Sequence, residues 1–368
     1  MKTHTNKALE IPDFLVELPA DKDPIILQLT DTQIIDASQQ RVPDRLCDEQ
    51  RNYWHPDFKE IRCYQYLREI ITATKPDLII FSGDVVYGEF DDSGNSFTEF
   101  VEFMESFQIP WAPIFGNHDN ESIKGVDWQC AQFTAAKHCL FDQKELSGNG
   151  NYSIGIVQNK QLKRVFYMLD TIACGNASAQ SRANGHTPCV LGMQSDQIEW
   201  YTNQILEIKK LSPETKFSFV YHIQPKFFEK AFAKYGFSND NFTPIDIDKH
   251  PDRQSTDFGY LGAPLKSPWD LNYEAYNGMQ ALGVDSHFVG HEHANSASVV
   301  YHGVRFQFGM KSSTYDRNNY VAEDGSIVTS FDPAGKPLVG GTVIPLSKEN
   351  GDILQPYIYY CKSEFEHN

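Results

Sequence analysis

The chain has 368 residues, 40% of them apolar, enough to fill the core of one large α/β domain or two average ones. Its 32 Lys and Arg against 49 Asp and Glu leave a net charge of -17, which weighs against broad contact with nucleic-acid backbones or anionic membranes. No apolar run approaches the roughly 18 to 20 residues of a membrane helix, and residues 1–10 lack the apolar segment of a signal peptide, so the expectation is a soluble, cytoplasmic protein.

Residues 1–24 read as an N-terminal extension and 25–368 as a single domain with long loops at 34–58, 171–193 and 236–268. Ile25 to Leu29 is a short apolar run, as expected of a buried strand, and Asp31-Thr32-Gln33 leaves its end. A polar connection carrying Arg41, Arg45 and Arg51 leads to a helix with the apolar stripe Ile61, Tyr64, Leu67 and Ile71, stopped at Lys75-Pro76. The chain then returns as a strand over Leu78 to Phe81, completing a βαβ unit, and delivers Gly83-Asp84-Val85-Val86-Tyr87.

A helix around Phe97 to Phe107 precedes a strand from Trp111 to Phe115, whose exit is Gly116-Asn117-His118-Asp119. A helix near Trp128 to Cys139 and the turn Gly148-Asn149-Gly150 come before two neighbouring strands, Tyr152 to Val157 and Val165 to Leu169. Asp196 with Glu199 opens a helix carrying Ile198, Tyr201, Ile205 and Ile208. The run Phe217 to Tyr221 ends in His222, and after a helix around Tyr273 to Leu282 the run His287 to Val289 ends in Gly290-His291-Glu292-His293. A hairpin follows with its turn near His302-Gly303, and Tyr357 to Tyr360 is one more strand. Alternating α and β elements with added hairpins imply two packed sheets with helices outside.

Five strand ends thus each deliver a metal-competent side chain: Asp31, Asp84, Asn117, His222, and His291 with His293. Carboxylate, amide and imidazole donors together suit divalent or trivalent Mn, Fe or Zn rather than Ca or a Cys-bound structural zinc. An Asp can bridge two ions, and a pair about 3.5 to 4 Å apart lowers the pKa of a shared water and clamps a phosphoryl group. His118, beside a ligand and followed by Asp119, is placed to give a proton to a leaving oxygen or to hold a phosphoryl oxygen, making these two the candidate catalytic residues. The seven cysteines are scattered without a Cys-x-x-Cys pair, which favours free thiols, with Cys174 and Cys189 able to bridge one loop.

Asp31-x-Gln33, Gly83-Asp84, Gly116-Asn117-His118-Asp119, His222 and Gly290-His291-x-His293 resemble, in order, the motif blocks of the calcineurin-like metallophosphoesterase superfamily. Gly83-Asp84-x-x-Tyr87 is similar to the block in which purple acid phosphatases present a tyrosinate, and Gln197-x-x-Trp200 is a weaker likeness. The resemblance implies a four-layer α/β/β/α sandwich, two mixed sheets flanked by helices, with two metal ions at the strand ends. Asp31, Asp84 and His293 would hold the first, and Asp84, Asn117, His222 and His291 the second, with His118 catalytic. Gln33 stands where most members have a histidine ligand, so Gln33 or Tyr87 would complete the first site.

The implied activity is hydrolysis of phosphomonoesters by a metal-bound hydroxide. Phosphodiester hydrolysis at the same site is the alternative, and a catalytically silent binding module the further one. A nuclease fits poorly with the acidic charge, and neither oligomeric state nor physiological substrate is legible. Glu292 is expected to point away from the metals. Arg41, Arg45, Arg51 and Arg182 read as surface charge or phosphate contacts, and Phe237, Phe242, Phe258, Tyr260 and Trp269 as a substrate wall or as anchors of the long loop.

Overall fold

Every apolar run that ends in a candidate ligand forms a buried strand. The computed structural model describes residues 7–36, 38, 59–90, 93–172, 190–265, 269, 273–313, 318–330 and 335–362. Strands β1 (Phe14–Glu17) and β2 (Ile25–Leu29) precede helix α1 (Lys59–Thr74), β3 (Leu78–Phe81), helix α2 (Asn95–Glu105), β4 (Trp111–Pro113) and helix α3 (Val126–Ala135). The hairpin β5 (Tyr152–Gln158) and β6 (Gln161–Met168) is followed by α4 (Ser195–Leu211), β7 (Lys216–Val220), the short α5 (Phe228–Phe232), and the pair β8 (Ile245–Asp246) and β9 (Tyr260–Leu261). Helix α6 (Tyr273–Ala281) leads into β10 (Val284–Val289) and the hairpin β11 (Ser298–Tyr301) and β12 (Val304–Phe308). The remaining strands are β13 (Asn318–Ala322), β14 (Ile327–Ser330), β15 (Gly335–Pro337), β16 (Gly340–Pro345) and β17 (Tyr357–Tyr360).

Two mixed sheets carry the architecture, one ordered β17-β16-β2-β3-β4 and the other β1-β5-β6-β7-β10-β12-β11. Parallel pairing of β2, β3 and β4 in one, and of β7 and β10 in the other, brings their C-terminal ends to one edge of the molecule. Between the sheets lies a buried amide network. Gln28 Nε2 donates to Ser82 Oγ and to the Val289 carbonyl, both at 3.0 Å, while Gln307 Nε2 donates to Gln28 Oε1 at 2.9 Å. Helix α1 packs on β2, β16 and β17, and α4 covers the second sheet through Tyr201 against Tyr167 and Phe219.

Several details differ from the sequence reading. In α1 the buried face is Cys63, Tyr66, Leu67, Ile70 and Ile71, whereas Ile61 is 59% exposed because the helix turns that position outward. Helix α4 opens on Gln194, whose backbone N–H donates to Gln197 Oε1 at 2.7 Å, rather than on Asp196 and Glu199. Asp196 instead accepts from the Ser147 N–H. Phe14–Glu17, within the segment set apart as an extension, pair in parallel with β5 as an edge strand. The loops 34–58 and 171–193, with Arg41, Arg45, Arg51, Arg182, Cys174 and Cys189, fall largely or wholly outside the described residues. Cys63, Cys130, Cys139 and Cys361 are buried free thiols. The hairpin turn falls at His302 and Gly303, both with positive φ, as a tight turn between twisted strands requires. No described helix is long and apolar enough to cross a membrane.

Candidate metal centre

The loops that leave β2 and β3 are zipped together. The Asp31 N–H donates to the Gly83 carbonyl at 3.0 Å and the Gln33 N–H to the Asp84 carbonyl at 2.9 Å. To turn outward from the sheet so sharply, Asp31, Gln33, Asp84 and His291 all adopt left-handed backbone, with φ of 52°, 44°, 54° and 72°. Such strain costs about 1 to 3 kcal/mol per residue and gathers at sites where geometry serves function.

Asp31, Asp84 and His293 offer ligand atoms that all lie within 4.8 Å of one another. His293 Nε2 is 3.3 Å from Asp31 Oδ1, and Thr30 Oγ1 donates to Asp31 Oδ2 at 2.7 Å. Asp84 joins this group to the next, since its Oδ2 is 3.2 Å from His222 Nε2 and its Oδ1 accepts the His118 N–H at 2.8 Å. Asn117 Oδ1 stands 3.2 Å from His222 Nε2 and 2.9 Å from His291 Nδ1. His222 Nδ1 meets the Ser82 carbonyl at 2.7 Å, an outer contact that directs Nε2 at the site.

This donor set suits cations. Burial works against a charge on His222, yet the Asp84 and Asp31 carboxylates beside it outweigh that and push its pKa up to about 9. Burial also opposes the charge on Asp84, but His222 and His118 hold it well below the usual carboxylate range. Buried carboxylates that draw a proton onto a neighbouring imidazole define a place where a metal ion would be stabilised. The close approach depends on glycines: a Cβ on Gly116 would sit 2.1 Å from Asp84 Oδ1, and one on Gly83 would sit 2.5 Å from His222 Nδ1.

His118 lies at the rim, half-buried, with Nδ1 2.9 Å from Glu121 Oε1. Its ring stacks on that of Tyr87 with centroids 4.1 Å apart, and Tyr87 itself is buried. Gln33 is buried with Nε2 3.3 Å from Asp84 Oδ2. Asp119 is placed differently from a catalytic group. Its Oδ2 accepts the N–H groups of Gly116 and Asp84 at 2.7 and 3.0 Å, and its Oδ1 that of Val86 at 3.0 Å, so it ties the two ligand-bearing loops together. Burial, with the Asp84 charge, pushes its pKa up to about 7.

Glu292 turns away, accepting from Gln224 Nε2 at 3.0 Å. The aromatics Phe237, Phe258 and Trp269 are buried, and the Trp269 indole N–H donates to the Ile223 carbonyl at 3.0 Å, so they anchor the long loop. Gln197 is also buried and donates to Asn151 Oδ1 and the Asp170 carbonyl. The sequence reading passed over Glu121 and Lys311. A carboxylate three residues beyond His118 on one turn was a usable signal for the first. Nothing local marks the second.

The chain is 22% identical to the phosphatase DCR2 of Saccharomyces cerevisiae over 242 residues, 62% of this chain and 38% of that protein. It is 39% identical over 69 residues to probable inactive purple acid phosphatase 14 of Arabidopsis thaliana, covering 18% of this chain and 17% of that one. The matched segments therefore span less than two fifths of these relatives. Among solved structures, a dimetal phosphatase from Danio rerio aligns over 88% of this chain and 92% of that chain with a TM-score of 0.45 and 10% identity. Residues 25–295 match the family model described as calcineurin-like phosphoesterase, and the chain belongs to that family.

Proposed function

We propose that this protein is a dinuclear-metal phosphoesterase acting on phosphomonoesters. The observation that carries the reading is the convergence of Asp31, Asp84, Asn117, His222, His291 and His293, from strand ends of both sheets, with His118 at their rim. Asp31, Asp84 and His293 would hold one metal ion and Asp84, Asn117, His222 and His291 a second. When bound, such ions neutralise phosphoryl charge and activate a water nucleophile.

The protein's own groups orient and protonate. Ser82 and Thr30 fix His222 and Asp31, and Asp119 holds the Asp84 and Asn117 loops in register through backbone N–H groups. His118, with the Glu121 carboxylate 2.9 Å from its Nδ1, offers Nε2 to the leaving-group oxygen as proton donor. The name of the yeast relative, a phosphatase, favours monoesters. Three Arabidopsis relatives are named probable inactive, but His118 and every motif ligand except the histidine that Gln33 replaces are present here, which supports catalysis over a silent module.

The test is elemental analysis after chelation and reconstitution with iron, manganese or zinc, followed by parallel assays on aryl phosphate monoesters and diesters. About two metals per chain and faster monoester cleavage are expected. Preferential diester cleavage would move the assignment to a phosphodiesterase, and a chain that stays empty would remove the enzyme reading.

A further inference from the structure

The position where this chain departs from the superfamily pattern, Gln33, is gripped by a residue distant in sequence. Lys311, just past β12, is 1% exposed, and its Nζ donates to the Asp31 carbonyl at 2.8 Å and to Gln33 Oε1 at 3.1 Å. An ammonium group has only donors, so the amide atom facing it is the oxygen. On the other side Gln33 Nε2 faces Asp84 Oδ2 at 3.3 Å, and an ionised carboxylate only accepts. Both neighbours orient the amide the same way, with its NH2 toward the site. An amide nitrogen, its lone pair delocalised into the carbonyl, does not ligate a metal ion.

We infer that Lys311 converts Gln33 from a ligand into a positioning residue that donates to Asp84, and that its fixed charge makes the first metal the more weakly held of the two. This deepens the dinuclear reading and rests on it. The second site, by contrast, has Asn117 with its carbonyl oxygen turned toward His222 and His291. Two donor amides thus sit in one centre with opposite ends forward.

The test is titration of chelator-treated protein with zinc and with manganese, each alone, followed by calorimetry. Two affinity classes are expected in the wild type. Gln33→Ala is expected to leave both within about 3-fold, and Lys311→Met to tighten the weaker class by about 10-fold, as removal of a nearby like charge does. A 10-fold loss in either class for Gln33→Ala would make Gln33 a ligand and overturn the inference alone. Failure of the wild type to bind any metal would overturn the dinuclear reading and the inference with it. The grip itself is checked in chelator, without metal, by melting Gln33→Ala, Lys311→Met and the double variant. The double is expected to melt no lower than the less stable single, and additive losses would overturn the inference. If Lys311→Met does not fold, the Gln33→Ala titration decides.

Discussion

Glu121 lies against the imidazole of His118: its Oε1 is 2.9 Å from Nδ1, at ion-pair distance but without hydrogen-bond alignment, three residues further along the short turn Asp119–Glu121. A carboxylate on one ring nitrogen fixes the ring's orientation and assigns the chemistry to the other. His118→Ala is expected to lower turnover by about 10²- to 10⁴-fold, the usual worth of a general acid. Glu121→Gln is expected to lower it by about 10-fold while metal content stays unchanged, since Glu121 acts through His118. Wild-type turnover in Glu121→Gln would reduce the pair to a structural contact.

Close approach of loops at Gly116 and Gly83 gives a second prediction. Gly116→Ala places a methyl 2.1 Å from Asp84 Oδ1, on the carboxylate proposed to serve both metals. Loss of most bound metal is expected by elemental analysis, with far-ultraviolet circular dichroism retained. Gly278→Ala in α6 meets nothing within 4 Å and serves as the control, expected to keep full metal content and to gain about 0.5 to 1 kcal/mol. Full metal content in Gly116→Ala would mean that Asp84 does not bind it.

The ligand-bearing strand ends were legible because each is an apolar run broken by one polar residue, a pattern set by burial on both faces of a strand. Strand β16 was not, because Gly340 and Gly341 mimic a turn. They are there because a Cβ on Gly340 would lie 2.0 Å from the Tyr359 carbonyl and one on Gly341 would press on Ile70 and Leu27. Asp119 stands apart for a different reason. Adjacency to His118 suggested chemistry, while its carboxylate points back to three backbone N–H groups. Lys311 was invisible because its partners, Asp31 and Gln33, lie some 280 residues away, and only the packing of the two sheets brings them together.

Tyr87 poses the choice between ligand and packing residue. Its ring stacks on His118 and lies edge-on to Phe90 with centroids 5.1 Å apart, so Tyr87→Phe preserves the packing while deleting the hydroxyl. With Gln33 turned to Asp84, Tyr87 is the remaining sequence-derived candidate for the first metal. Iron-loaded wild type is expected to be coloured, and Tyr87→Phe to lose the visible band with turnover still measurable. An unchanged band would make Tyr87 a packing residue beneath His118.

Acid sensitivity has a source away from the metals. His287 is buried, with Nδ1 3.1 Å from the Tyr221 hydroxyl and its ring parallel to Phe306, and burial pushes its pKa down to about 3 against the opposing charge of Asp285. The ordinary value of 6.5 applies to the unfolded chain, which therefore binds one more proton than the folded chain between about pH 6.5 and 3. The contribution is full above pH 6.5 and is lost as pH falls, by about 1.4 kcal/mol per pH unit. In metal-free protein His291, also pushed down to about 3 by burial and by His222, adds the same sign. Asp119, raised from 3.8 to about 7, has the opposite sign, losing stability as pH rises through that window. Comparing wild type with His287→Gln removes these shared contributions. Urea unfolding at pH 4, 5 and 6 is expected to give a slope of stability against pH shallower by about one proton in the variant. Equal slopes would show that His287 is protonated in the folded protein and that its burial does not govern acid loss.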